Sequence, residues 1–248
     1  MRFRVALKTL DTKTNDELLL LFDRAAFTLG FSSLGMRTEE LVDTETAIVL
    51  LAYVLGKHEL RLARFVPVLV MWLSRYHSLL NAQKLSKMAR EMESAVGELA
   101  IFRLVALALK ASDPRKFRNF LILPLTQPFY LEPRLRSLVD QKLKDQGFYP
   151  GLSKETGLMI SASAFAARES DLLPEHTLFR RNEQLRHRLI HGATYRSDAT
   201  LLLRDRPQMT AKELADTLML SYEPAHRLSA DIARYRALGF ALGNEASS

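Results

Sequence analysis

The stretch that decides the reading is Thr210-Ala-Lys-Glu-Leu-Ala-Asp-Thr-Leu-Met-Leu-Ser-Tyr-Glu-Pro-Ala-His-Arg-Leu228. Thr210 and Glu213 have the spacing of a capping box, a hydroxyl followed three residues on by a carboxylate, so a helix is expected to start there. Leu214, Ala215 and Leu218 give that helix a buried face. Leu220 falls in a turn, Ser221 is placed to cap a second helix, and Ala225, Leu228 and Ile232 line it at i, i+3 and i+7. The small Ala215 lets the two helices cross closely. The expectation is two short helices across a tight turn.

Working outward, a further helix over Ser197–Leu203 carries Ala199, Leu202 and Leu203, ends at Arg206-Pro207, and completes a three-helix core. Beyond it lie the 248 residues' other general properties. The formal charge is +7 and the pI near 9.7, which suits a polyanionic partner. From Leu178 to Phe240 there are ten Arg and one Lys against seven carboxylates, together with His187, His191 and His226. Such Arg-rich composition suits bidentate contacts to phosphate or guanine. Nearly half the residues are apolar (48%), enough for a substantial core and against wholesale disorder. The absence of cysteine excludes disulfides, thiolate zinc sites and cysteine nucleophiles.

The pattern along the chain predicts an all-α protein. Helices are expected over Asn15–Leu29, from Asp43 or Thr44 through Leu55 with Gly56 as the stop, and over Leu60–Leu80 with Pro67 near its start or kinking it. One long amphipathic helix is expected over Ala82–Lys110, with Leu85, Met88, Met92, Val96, Leu99, Phe102 and Ala106 recurring every three or four residues. A short helix over Arg134–Asp145, a loop at 147–157, a helix near Leu158–Ser170 and a polar helix over Glu175–His191 follow. The candidate strand pieces are Arg2–Leu7 and Leu121–Leu125. Composition divides the chain into an N-terminal multi-helix domain (1–150), a linker region (151–174) and a basic C-terminal three-helix module (175–248).

The segment Tyr195–Phe240 resembles the helix-turn-helix region of bacterial winged-helix transcriptional regulators. Asp198-Ala-Thr-Leu-Leu-Leu, Met209-Thr-Ala-Lys-Glu-Leu-Ala-Asp-Thr-Leu, Ser221-Tyr and Leu228, Ile232 and Leu238-Gly-Phe carry the resemblance. It implies that Tyr222–Leu238 is a recognition helix for the DNA major groove. Its outward face would then hold Tyr222, Glu223, His226, Arg227, Ala230 and Arg234. Arg227 is the candidate for guanine O6/N7, Tyr222 and His226 for phosphate or base edges, and Lys212 and Arg234 for backbone phosphates. Two departures stand out. Met219 occupies the place where such families end the preceding helix in Gly, so a left-handed turn residue is expected to be missing. Ala241–Ser248 are also too few for a β-hairpin wing.

A second resemblance competes. Arg186-His187-Arg188-Leu189-Ile190-His191 is similar to the Arg-x4-His signature of HEPN-type ribonucleases, which implies metal-independent RNA cleavage by Arg186 and His191. Leu185, Leu189 and Gly192 read equally as an ordinary helix face. His58 with Glu59, and His77 near Tyr76, lack a third ligand at metal spacing. Met71, Trp72, Met88, Met92 and Phe102 are expected in the core. No signal-peptide pattern is present, and Ala47–Leu55 and Phe65–Leu73 are too short to span a bilayer. The expectations are therefore a cytoplasmic, dimeric, sequence-specific DNA-binding protein in transcription regulation, with no cofactor, metal or membrane. The alternatives are the ribonuclease and a protein-interaction adaptor on the same three-helix scaffold.

Overall fold

The computed structural model describes residues 13–32, 41–57, 62, 64–97, 100–120, 129–130, 158–159 and 167–238. The described chain is all-α. The expected strands at 2–7 and 121–125, the helix at 134–145 and the loop at 147–157 lie outside these residues. No helix among the described residues is long and apolar enough to cross a membrane.

Helix α1 (Asn15–Leu29) starts at a capping box between Thr14 and Glu17 and stops at Gly30, whose φ of 74° is left-handed. A Cβ on Gly30 would stand 2.8 Å from Leu178 Cδ1, so both backbone and space require glycine there. Helix α2 (Thr44–Lys57) begins beside Asp43, whose carboxylate accepts from the Thr46 amide at 3.1 Å. It runs through Gly56 instead of stopping there. Every residue from Ala47 to Leu55 is at most 3% exposed, which makes α2 the central helix of the large core. Such burial on all sides explains a sequence that is apolar without periodicity.

Helix α3 (Phe65–Tyr76) carries Pro67 in its first turn, where no backbone donor is required. A short 3₁₀ turn (His77–Leu79) leads to α4 (Ala82–Val96), capped by Asn81 on the Lys84 amide at 3.1 Å. The single helix expected over 82–110 is in fact two. Gly97 adopts φ 86°, ψ −171°, a conformation closed to other residues, and α5 (Ala100–Ser112) starts anew. An ion pair between Glu93 and Arg103 spans the break. Trp72, Met88, Met92 and Phe102 lie in the core as expected, with Met71 partly buried against it.

Phe129–Tyr130 (β1) and Leu158–Met159 (β2) form a two-residue parallel pair, so the helix expected from Leu158 does not start there. Its other end is not helical either. Glu169–Asp171 is a 3₁₀ turn, and the following residues run extended beside the end of α1. Leu173 donates to Gly30 O at 2.8 Å and Ser32 to Asp171 O at 2.9 Å. Backbone used in that way cannot also close helical rings.

The polar helix expected over 175–191 is likewise two, α6 (Glu175–Arg181) and α7 (Glu183–His191). Asn182 separates them. Its buried side chain caps the Leu185 amide at 3.1 Å while donating to Thr28 O at 3.0 Å. Leu178 and Leu185 belong to the large core, so α6 and α7 pack with the N-terminal helices.

A second, smaller core follows Gly192. Helices α8 (Tyr195–Asp205), α9 (Ala211–Leu218) and α10 (Tyr222–Ala237) enclose Ala199, Leu203, Met209, Leu214, Ala215, Leu218, Ala225 and Ile232. The Thr210–Glu213 capping box forms as read from the sequence. Leu228 and Leu220 are half-buried against this core.

Candidate nucleic-acid interface

The two cores meet at the turn between α9 and α10. Met219 takes φ 60°, ψ 32° there, the left-handed conformation that residue type had argued against. The reason is tertiary. The Met219 side chain is 2% exposed and belongs to the large core, not to the three-helix core. Its carbonyl accepts from Lys87 Nζ at 2.6 Å. A glycine would relax the backbone but leave nothing to dock, so the strain is held by burial.

A second tie is a buried charge cluster. Arg188 on α7, 1% exposed, reaches Glu45 at the start of α2 with two bonds of 2.6 and 2.8 Å. It reaches Asp198 on α8 with two more of 2.8 and 2.6 Å, and Leu79 O at 3.0 Å. Lys84 on α4 donates to Asp43 at 2.5 Å and lies 3.6 Å from Glu45 and 3.7 Å from Asp198. Gln184 donates to Asp43 at 2.7 Å and accepts from both the Thr44 amide (2.9 Å) and hydroxyl (2.8 Å). Burial alone would raise the Asp43 carboxyl, but Lys84 and Arg188 outweigh it and hold it well below its ordinary value. Glu45 moves the other way, because desolvation exceeds the pull of Arg188 and Asp43 adds repulsion. The carboxylates of Asp43, Glu45 and Asp198 converge as metal ligands would, yet Lys84 and Arg188 already supply positive charge among them. The cluster works as a clamp: it fixes α8, and with it the three-helix unit, to α2, α4 and α7.

With both ties in place, α10 turns a polar face outward. Ala225 and Ile232 are buried, whereas Tyr222 (60% exposed), His226, Arg227 and Arg234 are all open to solvent. The Tyr222 and His226 rings lie 5.8 Å apart, inclined by 30°, one helical turn apart as i, i+4 spacing requires. Arg227 pairs with Glu223 on the same face. Asp231, beside it, pairs with Arg196 of α8 at 2.8 Å. Arg234 and Lys212 are exposed with no ion-pair partner among the described residues. Ser221 has the extended backbone of an N-cap without a side-chain cap bond, so its hydroxyl is not committed to the helix. Arg236 is the exception on α10: it turns back to donate to Leu203 O at 2.5 Å.

The ribonuclease-like residues are arranged differently. Arg186, half-exposed, faces Glu183 at 3.4 Å, while the His191 ring lies against that of His187, centroids 4.3 Å apart and planes inclined by 42°. A spacing of five places Arg186 and His191 roughly 140° apart around the helix. The structure thus joins His191 to His187, not to Arg186. Burial, with His191 and Arg204 nearby, lowers the His187 pKa, which favours its neutral form. The face expected to hold Leu185 and Leu189 instead holds Leu185 and Arg188, and Leu189 is 59% exposed. Of the other histidines, His77 pairs through Nδ1 with Ser74 O at 3.0 Å, and His58 lies outside the described residues.

Sequence reasoning missed Arg188 because it sits in an Arg-rich run that reads as surface. Its i+3 relation to the buried Leu185 was the one signal available. No protein-family model, characterised protein or solved structure matches this chain.

Proposed function

We propose that the three-helix unit is a helix-turn-helix that binds duplex DNA, with α10 as its recognition helix, and that the protein regulates transcription. The observation that carries this reading is the exposure of Tyr222, His226, Arg227 and Arg234 on one side of a helix whose other side is anchored by Ala225 and Ile232. A rigid, outward helix with an Arg near its N-terminal end is the element the major groove admits.

Within this reading Arg227 recognises guanine after exchanging Glu223 for the base edge, Tyr222 and His226 contact phosphate or bases, and Lys212 and Arg234 neutralise phosphates. The Glu223–Arg227 pair keeps the guanidinium oriented but opposes phosphate approach, so it favours selectivity over raw affinity. One recognition helix of this length gives too little affinity alone, and the usual remedy is a homodimer on paired half-sites.

The test is selection from a genomic-fragment library with the full chain, followed by binding of the selected duplex. Arg227→Ala lowers discrimination between selected and scrambled sequence, and Lys212→Ala weakens both equally. Equal binding of both sequences by the unaltered protein overturns base readout. Sedimentation velocity of the free protein tests the dimer.

A further inference from the structure

Away from α10, the start of α4 and the turn that follows α5 enclose a cleft of about 560 Å³. Gln83, Ser86 and Arg90 come from one face of α4, at i, i+3 and i+7. Arg115, Lys116 and Arg118 face them from the turn, and Phe120 supplies an apolar wall. Among the described residues four cations line this space and no carboxylate does. Asp113, the nearest acid along the turn, is occupied: its carboxylate accepts from the Lys116 amide at 2.9 Å.

Two of the four cations, Lys116 and Arg90, are held in place. The Lys116 ammonium donates to the carbonyls of His77 (3.2 Å) and Ser78 (2.7 Å). Arg90 uses Nε on the Ser86 carbonyl at 3.3 Å, and its terminal nitrogens have no partner among the described residues. Arg115 and Arg118 are exposed, without an ion-pair partner among those residues. Like charges gathered around a concave surface repel one another and focus a positive potential. An anion with several charged oxygens relieves that repulsion and matches guanidinium geometry.

We propose that this cleft binds a phosphate ester or pyrophosphate group, with Arg90, Arg115, Lys116 and Arg118 as its ligands. The volume is that of a small-molecule site. Placement adds a consequence. Lys87, on the neighbouring face of α4, holds the Met219 carbonyl at the base of α10, so the helix that carries the cleft also supports the candidate recognition helix. The proposal does not rest on DNA binding by α10.

The experiment is calorimetric titration of the full chain with sodium pyrophosphate in 0.1 M NaCl. Saturable binding with one site per chain is expected, weakened about tenfold or more in the Arg90→Gln/Arg118→Gln double variant. A control of equal charge loss, Lys110→Gln/Arg180→Gln, is expected to leave it unchanged. No saturable binding, or equal loss in both double variants, overturns the proposal. A short duplex then separates the sources of phosphate. If Arg90→Gln/Arg118→Gln weakens duplex binding in parallel, the site holds a nucleic-acid backbone. If duplex binding is unaffected, it holds a free phosphorylated molecule.

Discussion

Replacing Arg188 by Met probes the clamp directly. The wild-type guanidinium makes five hydrogen bonds, four of them to Glu45 and Asp198. Without it, Glu45 keeps the Asn81 amide at 2.8 Å and Asp198 keeps Gln184 at 3.4 Å. Lys84, already committed to Asp43, stands 3.6–3.7 Å from both. Three carboxylates then share one ammonium, and two of them, Glu45 and Asp198, are buried. Breaking a buried ion pair from one side costs about 3–5 kcal/mol. In a chain of this size each kcal/mol moves the Tm by roughly 2–4 °C, so Arg188→Met should melt roughly 6–20 °C lower. Arg188→Lys keeps the charge but cannot span two carboxylates with a planar fork, and should fall between. The triple variant Arg188→Met/Glu45→Gln/Asp198→Asn removes the stranded charges as well, and should recover most of the loss. Circular-dichroism melts at pH 7, backed by urea titration, read all three. The reasoning fails if Arg188→Met lies within about 1 kcal/mol of wild type, or if the triple variant is no more stable than the single one.

Two further outcomes follow from the same region. Asp43 has a folded pKa held below its ordinary 3.8, so its stabilising contribution is complete above that value and is lost as the pH falls through the lower, folded one. Asp43→Asn should therefore flatten the acid limb of urea-midpoint measurements between pH 2.5 and 7, and an unchanged acid limb would remove Asp43 from the account. At Met219 two effects compete: left-handed backbone costs roughly 1–2 kcal/mol for a non-glycine residue, while truncating a buried Met costs about 2–5 kcal/mol. Met219→Ala loses the side chain and keeps the strain, whereas Met219→Gly loses both. The expected order of stability is wild type, then Gly, then Ala, and a glycine variant more stable than wild type would contradict the docking role.

What the sequence makes legible here is local. The Thr210–Glu213 box, the buried Leu214, Ala215 and Leu218, and the alternation of Ala225 and Ile232 with exposed residues all follow from spacing within one or two turns. Breaks were hidden where the apolar period continues across them, as from Met92 and Val96 past Gly97 to Phe102. Asn182 was hidden because polar residues flank it on both sides, and its capping and its bond to Thr28 involve a helix 154 positions away. Arg188 went unread, and Met219 was read as unsuited to its turn, for a related reason. A methionine in a left-handed turn and an arginine in a core each make sense only through partners from the other end of the chain. The outward face of α10 was legible because exposure follows from helical spacing once the buried positions are known.

The central claim is that this face reads DNA. The most direct measurement is fluorescence anisotropy of a library-selected duplex and its scrambled counterpart, titrated with wild-type and Arg227→Ala protein at several salt concentrations. The account predicts tight, salt-dependent binding of the selected duplex and a loss of about 1–3 kcal/mol of discrimination in the variant. No binding of either duplex at low salt, or discrimination untouched by Arg227→Ala, would contradict it.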